Sequence, residues 1–288
     1  MFKKPKRKIY ALIFLLPTLA AFAVGFVYPF CQGVYLSFFK FQIIKKTEFV
    51  GFDNFIKAFQ DDSFLHSFWF TLAFVVVSVI LINVIAFFVA YALTLNIRGS
   101  NAYRTVFFMP NLIGGIILGY IWHQIFDALL RTIDMPSLVT NTDFGFWGLI
   151  ILMCWQRAGY MMIIYIAGFQ GVPHDLYEAA RMDGANRKQI LTGVTIPMMM
   201  PSITICTFLT LTNSFKLFDQ NLALTGGAPL TDGVWTTRMM ALNIYKTFYG
   251  ESVSAKGVGQ AEGVIFFLIV VIISLTQLYL TRKREVQS

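Results

Sequence analysis

The chain has 288 residues, of which 57% are hydrophobic, 16% aromatic and 13% charged, and its mean hydropathy is +0.65. Soluble domains carry about 25% charged residues and about 45–50% apolar ones. A globule of this length cannot bury so large an apolar excess, which excludes an ordinary soluble protein. A net charge of +8 can indicate nucleic-acid binding, but the basic residues cluster beside apolar runs, where anionic lipid is a sufficient partner.

The first apolar run presents a choice between a signal sequence and a membrane span. Lys3–Lys8, the apolar residues that follow and Ala21-Phe22-Ala23 together imitate a cleavable secretory signal. However, the apolar run continues past Ala23 to Phe30 without a break. We therefore expect an uncleaved first span.

Six apolar runs are long enough to cross a bilayer, which takes about 20 residues per helix. Backbone groups in hydrocarbon must be satisfied within the segment, and the runs are continuous rather than alternating, so we predict helices and not a barrel. The predicted spans are Ile9–Phe30, Phe68–Leu95, Val106–Phe126, Phe146–Gly168, Pro201–Phe218 and Ala261–Leu280. The fold class expected is an all-α integral membrane protein with a six-span domain over residues 9–280.

Basic residues set the predicted orientation, because cytoplasmic loops of membrane proteins carry an excess of Lys and Arg. If the N-terminus is cytoplasmic, the inner segments are strongly basic and the outer loops hold slightly more acids than bases. Six spans then return the C-terminus to the cytoplasm. We therefore predict cytoplasmic basic termini at residues 1–8 and 281–288, in a multi-pass protein of the cell (inner, cytoplasmic) membrane.

A small helix is predicted outside the membrane, after the first span. Its apolar residues follow the i, i+3, i+4, i+7 pattern of one helix face: Phe52, Phe55, Ile56 and Phe59. Asp53 and Asn54 stand near its start as caps. The pattern predicts an amphipathic helix lying in the outer interface.

The third predicted span contains Gly115 and Gly119, the GxxxG spacing that permits close helix approach. Packing within one chain and dimerisation explain this spacing equally well. Broken helices and internal repeats, which mark many ion-coupled carriers, are not evident in the sequence.

Charged residues within the predicted spans are few. The candidates are Arg157, Lys216, Asp219 and Glu262, and all except Arg157 fall near a span end. Ion-coupled carriers usually place such residues at mid-span, where they bind the coupling ion or relay protons. An ion-coupled secondary carrier acting without an ATPase is therefore the alternative function.

Spans four and five carry the polar and aromatic residues that suit a hydroxyl-rich solute. Thr204, Thr207, Thr210, Asn213 and Ser214 recur at spacings of three and four, hence along one side of span five. Trp155, Gln156 and Tyr160 add aromatic rings and an amide on span four. The candidate substrate contacts are Trp155, Tyr160, Thr210, Asn213 and Ser214. The alternative is hydrogen bonding between helices.

Neither catalysis nor a resident cofactor is indicated. The cysteines and histidines are scattered, without the spacing of metal ligands or of a disulfide framework. Adjacent methionine pairs fit adaptable packing better than copper binding. No His/Asp/Glu or Ser/Lys constellation suggests a membrane-embedded enzyme, so we expect a non-catalytic chain without bound metal.

One polar island interrupts the apolar pattern at Asp175–Ala185. The spacing of Asp175 and Glu178 is that of a capping box, which predicts a helix start after Pro173, and Gly184 is placed to end that helix. Leu176, Ala179 and Ala180 give it a small apolar face. Because the chain lacks GxxxxGK[ST], an ATP-driven pump would need a separate ATPase, and this helix is either its docking element or an ordinary loop helix.

The sequence EAARMDGANRKQILTGVTIPMMMP resembles the EAA signature of importer permease subunits in the ATP-binding-cassette (ABC) superfamily. The matching residues are Glu178, Ala179, Ala180, Asp183, Gly184, Ala185, Ile196, Pro197 and Pro201. Ile196 stands where Leu is more usual. Similar matches at Phe49–Phe55, Tyr103–Pro110 and Thr225–Pro229 extend the resemblance over almost the whole chain and point to the first permease subunit of the maltose type.

The resemblance implies a type I ABC importer permease. Such a chain forms half of a heterodimeric pore with a second permease subunit and works by alternating access. Its EAA loop, about residues 169–200, forms a coupling helix that docks on a cytoplasmic ATPase dimer, which binds the ATP and Mg. An extracytoplasmic solute-binding protein delivers the sugar, expected to be an oligosaccharide. ATPase coupling is thereby assigned to Glu178, Ala179, Ala180, Asp183, Gly184, Ala185 and Pro197.

Overall fold

A computed structural model describes residues 5–42, 45–95, 97–250, 255–283 and 285. The helices are α1 (Pro5–Phe22), α2 (Tyr28–Leu36), α3 (Asp53–Gln60), α4 (Asp62–Leu93), α5 (Ser100–Phe108), α6 (Gly115–Thr132), α7 (Thr142–Gln170), α8 (His174–Met182), α9 (Arg187–Ile190), α10 (Ile196–Met198), α11 (Met200–Phe215), α12 (Asp219–Leu224), α13 (Met240–Tyr249) and α14 (Ala255–Arg282). Among these residues, two short antiparallel strand pairs depart from an all-α chain: β1 (Phe39–Gln42) with β2 (Lys45–Phe49), and β3 (Leu230–Thr231) with β4 (Val234–Trp235).

Within the described ranges, four helical segments are long and apolar enough to cross a membrane by themselves: Ile13–Leu36, Asp62–Leu93, Thr142–Gln170 and Lys256–Arg282. They overlap the first, second, fourth and sixth predicted spans. Two further helix pairs bring the number to as many as six, if each bent pair counts as one span.

The third predicted span is wrong as a continuous helix. Ser100–Leu112 and Gly115–Thr132 meet at an angle of 100°. The chain leaves the helix through a 3₁₀ turn at Met109–Leu112 and becomes extended at Ile113 and Gly114, with ψ of 134° and 142°. Pro110 supplies no backbone N–H to continue the ladder, and α5 ends two residues before it, at Phe108.

The second bend lies just before the fifth predicted span, Pro201–Phe218. Arg187–Met198 and Met200–Phe215 are bent by 69°, with a π-helical turn at Leu191–Thr195 just before Pro197. Helix α11 ends at Phe215, three residues before the predicted end at Phe218, and α12 starts at Asp219. Broken helices, which are not evident in the sequence, are therefore present in the structure.

The described residues fall into two compact units, one from ranges 1–61 and 244–267 and one from ranges 62–243 and 268–288. In the second unit, α4 packs against α7 and α11. Ile82 and Ala86 are fully buried, while Ile80 and Phe88 on the same helix are 57% and 60% exposed. A helix that is apolar on both its buried and its exposed sides suits a lipid environment.

The two glycines of the GxxxG spacing pack within the chain. A Cβ at Gly115 would lie 2.7 Å from the Asp219 Cβ, and one at Gly119 would lie 2.6 Å from the Ala223 Cβ. Both glycines therefore let α6 approach α12. Of the two explanations left open by the sequence, packing within one chain accounts for the spacing.

In the first unit, the predicted amphipathic helix is confirmed as α3. Phe52, Ile56 and Phe59 are 68%, 54% and 56% exposed. The predicted caps are wrong, because the helix has no side-chain cap bond. Asn54 is instead buried, and its Nδ2 donates to the backbone oxygens of Ser37 at 2.7 Å and Phe39 at 3.1 Å.

Candidate functional site

The polar island forms α8, and Gly184 ends that helix as the sequence predicts. Gly184 has a φ of +78°. Its N–H donates to the Arg181 oxygen at 3.0 Å, and the Ala185 N–H donates to the Ala180 oxygen at 2.9 Å. These two bonds make a Schellman motif, which needs a left-handed residue after the helix and so favours glycine.

The predicted capping box at Asp175 and Glu178 is wrong. The residue before α8 is Pro173, and the helix start has no side-chain cap bond. A capping box forms further on, where the Asn186 side chain accepts from the Gln189 N–H at 3.0 Å and the Gln189 side chain accepts from the Asn186 N–H at 2.8 Å. Pro173 occupies the N-cap position and has no side-chain acceptor, so α8 begins without a side-chain cap.

Helix α8 presents an exposed apolar stripe. Leu176 is 39% exposed and Met182 is 89% exposed, with exposed Ala179 between them. The Glu178 carboxylate lies 3.2 Å from His174 Nδ1, with both side chains largely in solvent. An exposed apolar stripe that is bordered by charged residues is typical of surfaces that bind another protein.

Helix α8 is joined to the bent pair α9–α11. The hydroxyl oxygens of Tyr177 and Thr195 lie 3.5 Å apart, and Thr195 is 3% exposed. Its neighbour Pro197 stands at the start of α10. The chain then bends at Met199 and enters α11. A displacement of α8 can therefore be transmitted to α11 through the contact between Tyr177 and Thr195.

A polar cavity of about 400 Å³ lies at the bend between α5 and α6. It is lined by residues 111–115 of the break, by Gln156 and Arg157 of α7, by Asn213 of α11 and by residues 216–220 before and within α12. Three sequence segments that are far apart in the chain therefore build one site.

Side-chain amides fasten the break in place. Gln156 Nε2 donates to the Ile113 oxygen at 3.1 Å, and Gln220 Nε2 donates to Gln156 Oε1 at 2.7 Å. Arg157 Nη1 donates to Asn111 Oδ1 at 2.9 Å. We call these three hydrogen bonds the polar clasp. They supply a partner to a backbone carbonyl that the break removes from the helix ladder.

Of the predicted substrate contacts, the cavity lining includes Asn213. Thr210 is buried and donates to the Cys206 oxygen at 2.7 Å, and buried Ser214 accepts from Ser78 Oγ at 2.9 Å. Both hydroxyls thus bond between or within helices in this conformation.

The two predicted aromatic contacts lie on α7 near the cavity residues in sequence. Trp155 is 44% exposed, and its ring centroid lies 5.4 Å from that of Trp122. Tyr160 is half-buried, with its ring centroid 6.4 Å from that of Phe108. Their role in substrate contact stays a prediction.

Sequence reasoning missed Asn111, Gln220 and the cavity role of Arg157. The signal was present in Met109-Pro110-Asn111-Leu112-Ile113-Gly114-Gly115, where a proline and two glycines interrupt an apolar run. Such interruptions are a pointer to binding sites in transporters.

The structure is that of a helical membrane transport protein. Two bent helix pairs contribute to a polar cavity, and the exposed helix α8 lies between two of the spans. Residues 82–286 match the family described as "Binding-protein-dependent transport system inner membrane component". The chain belongs to this family, and it is therefore a permease component of the inner membrane.

Curated relatives match over nearly the full chain. The probable starch degradation products transport system permease protein AmyD of Thermoanaerobacterium thermosulfurigenes is 43% identical, covering 98% of this chain and 97% of the relative. The multiple sugar-binding transport system permease protein MsmF of Streptococcus mutans is 28% identical, covering 99% of each.

The fold is also that of a solved importer. A crystal structure of a bacterial ABC transporter involved in the import of the acidic polysaccharide alginate contains a chain with a TM-score of 0.80, covering 96% of this chain and 96% of that chain. The two are 22% identical, so this likeness concerns the fold alone. The prediction of an ABC importer permease is confirmed.

Proposed function

We propose that this chain is the transmembrane permease subunit of an ATP-driven sugar importer and that it carries oligosaccharides by alternating access. The relatives named for starch degradation products and for multiple sugars support this substrate class. A polar cavity lined by amide side chains supports it as well, because amides both donate to and accept from sugar hydroxyls. The permease itself is not an enzyme in this proposal.

The proposed topology has six spans and two cytoplasmic termini. Four single helices and two bent pairs make up the six spans. An even number puts both ends on one side of the membrane, and the basic residues of segments 3–8 and 282–284 favour the cytoplasm for that side. The loop that holds α8 is then cytoplasmic too.

The observation that carries the proposal is the exposed helix α8 with its left-handed stop at Gly184. A cytoplasmic ATPase dimer is the proposed partner, with ATP and Mg bound on its own subunits. Leu176, Ala179 and Met182 would enter a cleft on that partner, and the charges beside them would pair with its polar groups. Burial of this apolar stripe stabilises the complex. A movement of the ATPase would then displace α8.

In this proposal, a movement of α8 is transmitted to the cavity. Movement of α8 acts on Thr195 through Tyr177, and the bent pair transmits it to α11, which carries Asn213. Asn213, with Gln156 on α7, is the leading sugar contact in this proposal, and the aromatic rings of Trp155 and Tyr160 remain further candidates. Rearrangement of α11 against α7 would then switch the cavity between inward and outward access.

Two further partners are proposed. A second permease subunit would complete the pathway by covering the exposed apolar face of α6, on which Ile117, Tyr120 and Ile121 are 60%, 63% and 45% exposed. An extracytoplasmic solute-binding protein would deliver the sugar, as the name of the family suggests.

The ion-coupled carrier is not favoured. Bent helices occur in such carriers too, so they do not separate the two functions. Family membership does, because a binding-protein-dependent system uses several components.

The experiment is gentle purification of the tagged chain from its native membrane, followed by mass spectrometry of what accompanies it. We expect a second six-span subunit and an ATPase with a GxxxxGK[ST] loop. Replacement of Glu178 and Gly184 should remove the ATPase and leave the second permease. A chain that purifies alone and moves sugar in liposomes on a proton gradient would instead establish the secondary carrier.

A further inference from the structure

We infer that the cavity at the helix break is a cation-excluding filter, in which Arg157 and Lys216 keep protons and metal cations out of the pathway while neutral sugars pass. This inference rests on the proposed function only in that the cavity lies on the transport path. It concerns the charge of that path, and its test does not depend on which sugar is carried.

The position of Arg157 requires an explanation. It lies near the midpoint of α7 (29 residues), where a guanidinium is costly and therefore rare unless it has a function. Its hydrogen bond goes to the neutral amide of Asn111. Its Nε is buried without a hydrogen-bond partner among the described residues. Fold stability alone is a poor reason to keep such a charge, because an apolar residue would avoid its desolvation.

The charge is not neutralised by a close acid. Within the described part of the chain, the ion pairs closer than 4.0 Å involve neither Arg157 nor Lys216. Asp219 is the acidic member of the described lining. Two cations and one carboxylate leave one net positive charge in the cavity.

The helix break adds to this positive potential. Helix α6 starts at Gly115 beside the cavity, and its first residues have no side-chain cap. The start of a helix carries partial positive charge on its free N–H groups. Three features from three different elements therefore give the cavity the same sign.

A sugar pathway needs such a device. An opening wide enough for a saccharide is too wide to reject hydrated ions by size, so charge is the remaining means of selection. A fixed cation in a pore raises the energy of passing cations, and arginine is used in this way to exclude protons and cations in channels. A neutral sugar carries no net charge and is not repelled, and its hydroxyls can accept from the guanidinium.

The first test measures the sign of the potential directly. Asn213 is replaced by cysteine in the importer purified with its partner subunits, after Cys31→Ser removes the exposed native thiol. The thiol is then treated with methanethiosulfonates that carry either a trimethylammonium or a sulfonate group. Relative to a free thiol, we expect the anionic reagent to react at least about tenfold faster than the cationic one.

Three further variants identify the source of the potential. Arg157→Gln should bring the two relative rates to within about threefold, and Arg157→Lys should keep the anion preference. Arg131→Gln removes an exposed cation at the end of α6 and serves as the matched control, with an unchanged ratio. A second readout is the leak of protons and K⁺ into proteoliposomes under an imposed potential, which Arg157→Gln should increase and Arg157→Lys should not.

The outcomes separate this inference from the proposed function. Equal reactivity in the parent, a preference for the cationic reagent, or a preference that survives Arg157→Gln would overturn the filter while leaving ATP-driven sugar uptake untouched. Loss of ATP-driven uptake in the parent, combined with the anion preference, would overturn the proposed function and retain the filter. If Arg157→Gln fails to fold, Lys216→Gln keeps the test decisive, because it removes the other cation of the lining and should lower the anion preference. An unchanged preference in that variant would overturn the filter, while the Arg157→Lys variant tests whether the guanidinium shape is needed.

Discussion

Helix α8 and the cavity at the helix break are built in opposite ways. Helix α8 and its stop at Gly184 come from a dozen consecutive residues, lie in solvent, and leave open space around an added Cβ at Gly184. The cavity joins three distant segments and is fastened by buried amides. We therefore expect substitutions at α8 to alter the coupling to a partner with little change in stability, whereas substitutions of the buried amides at the cavity should also lower the stability of the permease itself.

The largest effect is expected where the scaffold of the cavity has no room. A Cβ at Gly159 would overlap the backbone carbonyl of Phe107, so Gly159→Ala must push α5 away from α7. We expect a loss of about 3 kcal/mol or more of stability, at the upper end of overpacking effects, and little folded protein after solubilisation. Thermal unfolding in detergent measures it.

Gly193→Ala is the control for this substitution, because nothing lies within 4 Å of its added Cβ. Its melting temperature should equal or slightly exceed that of the parent, because alanine favours the helix more than glycine does. A Gly159→Ala protein as stable as Gly193→Ala would contradict the tight contact between α5 and α7.

Gly184→Val should separate coupling from stability. A left-handed backbone costs L residues about 1–2 kcal/mol, and a β-branched side chain is especially unfavourable there. We expect the Schellman stop to be lost and ATP-coupled sugar uptake to be abolished, with membrane insertion intact. Uptake by membrane vesicles and the level of inserted protein are the two measurements.

Gly184→Asn is the matched variant, because asparagine tolerates the left-handed region and the added side chain meets nothing within 4 Å of its Cβ. It should retain most of the uptake. Normal uptake by a correctly inserted Gly184→Val protein would remove the coupling role of this turn.

Substitutions in the polar clasp should lower the free energy of unfolding moderately, and their effects should not be independent. Gln156→Leu leaves the Ile113 carbonyl unpaired, and Gln220→Leu leaves Gln156 Oε1 without its donor. Each should lower the free energy of unfolding by about 1–3 kcal/mol. In a double-mutant cycle the two should couple by about 0.5–3 kcal/mol, so that the double variant loses less than the sum. Strict additivity would show that the clasp does not act as a unit.

The smallest effect on stability is expected at the exposed stripe of α8. Met182 is 89% exposed, so Met182→Ser should change stability by no more than about 0.5 kcal/mol while weakening retention of the ATPase during purification. Met199→Ser, at a residue 1% exposed, should cost about 2–5 kcal/mol. Undiminished retention of the ATPase by the Met182→Ser protein would argue against docking through this stripe.

What the sequence predicted correctly is local. Gly184 ends α8 because one left-handed residue is sufficient, and the face of α3 follows from a four-residue spacing. The apolar runs identify the spans for the same reason, since length and hydropathy are properties of one segment.

What the sequence could not predict depends on neighbours. Gln156 and Gln220 are 64 positions apart, and nothing in either segment requires their hydrogen bond. The predicted cap at Asp175 is wrong because α8 begins at His174, which places Asp175 inside the helix. Asn54 does not cap α3 because its side chain donates to the carbonyls of Ser37 and Phe39 instead. The break after Pro110 was visible as composition but not as an angle, because packing against α7 decides where the chain turns.

The close packing of α6 on α12 has a consequence for assembly. Gly115 and Gly119 would offer a smooth surface to any passing helix, yet Asp219 and Ala223 already cover them. The GxxxG spacing, which could otherwise support pairing of the chain with its own copy, is thus buried when the chain folds. Two copies of the chain therefore cannot pair through these glycines, and any association in the membrane has to use other surfaces.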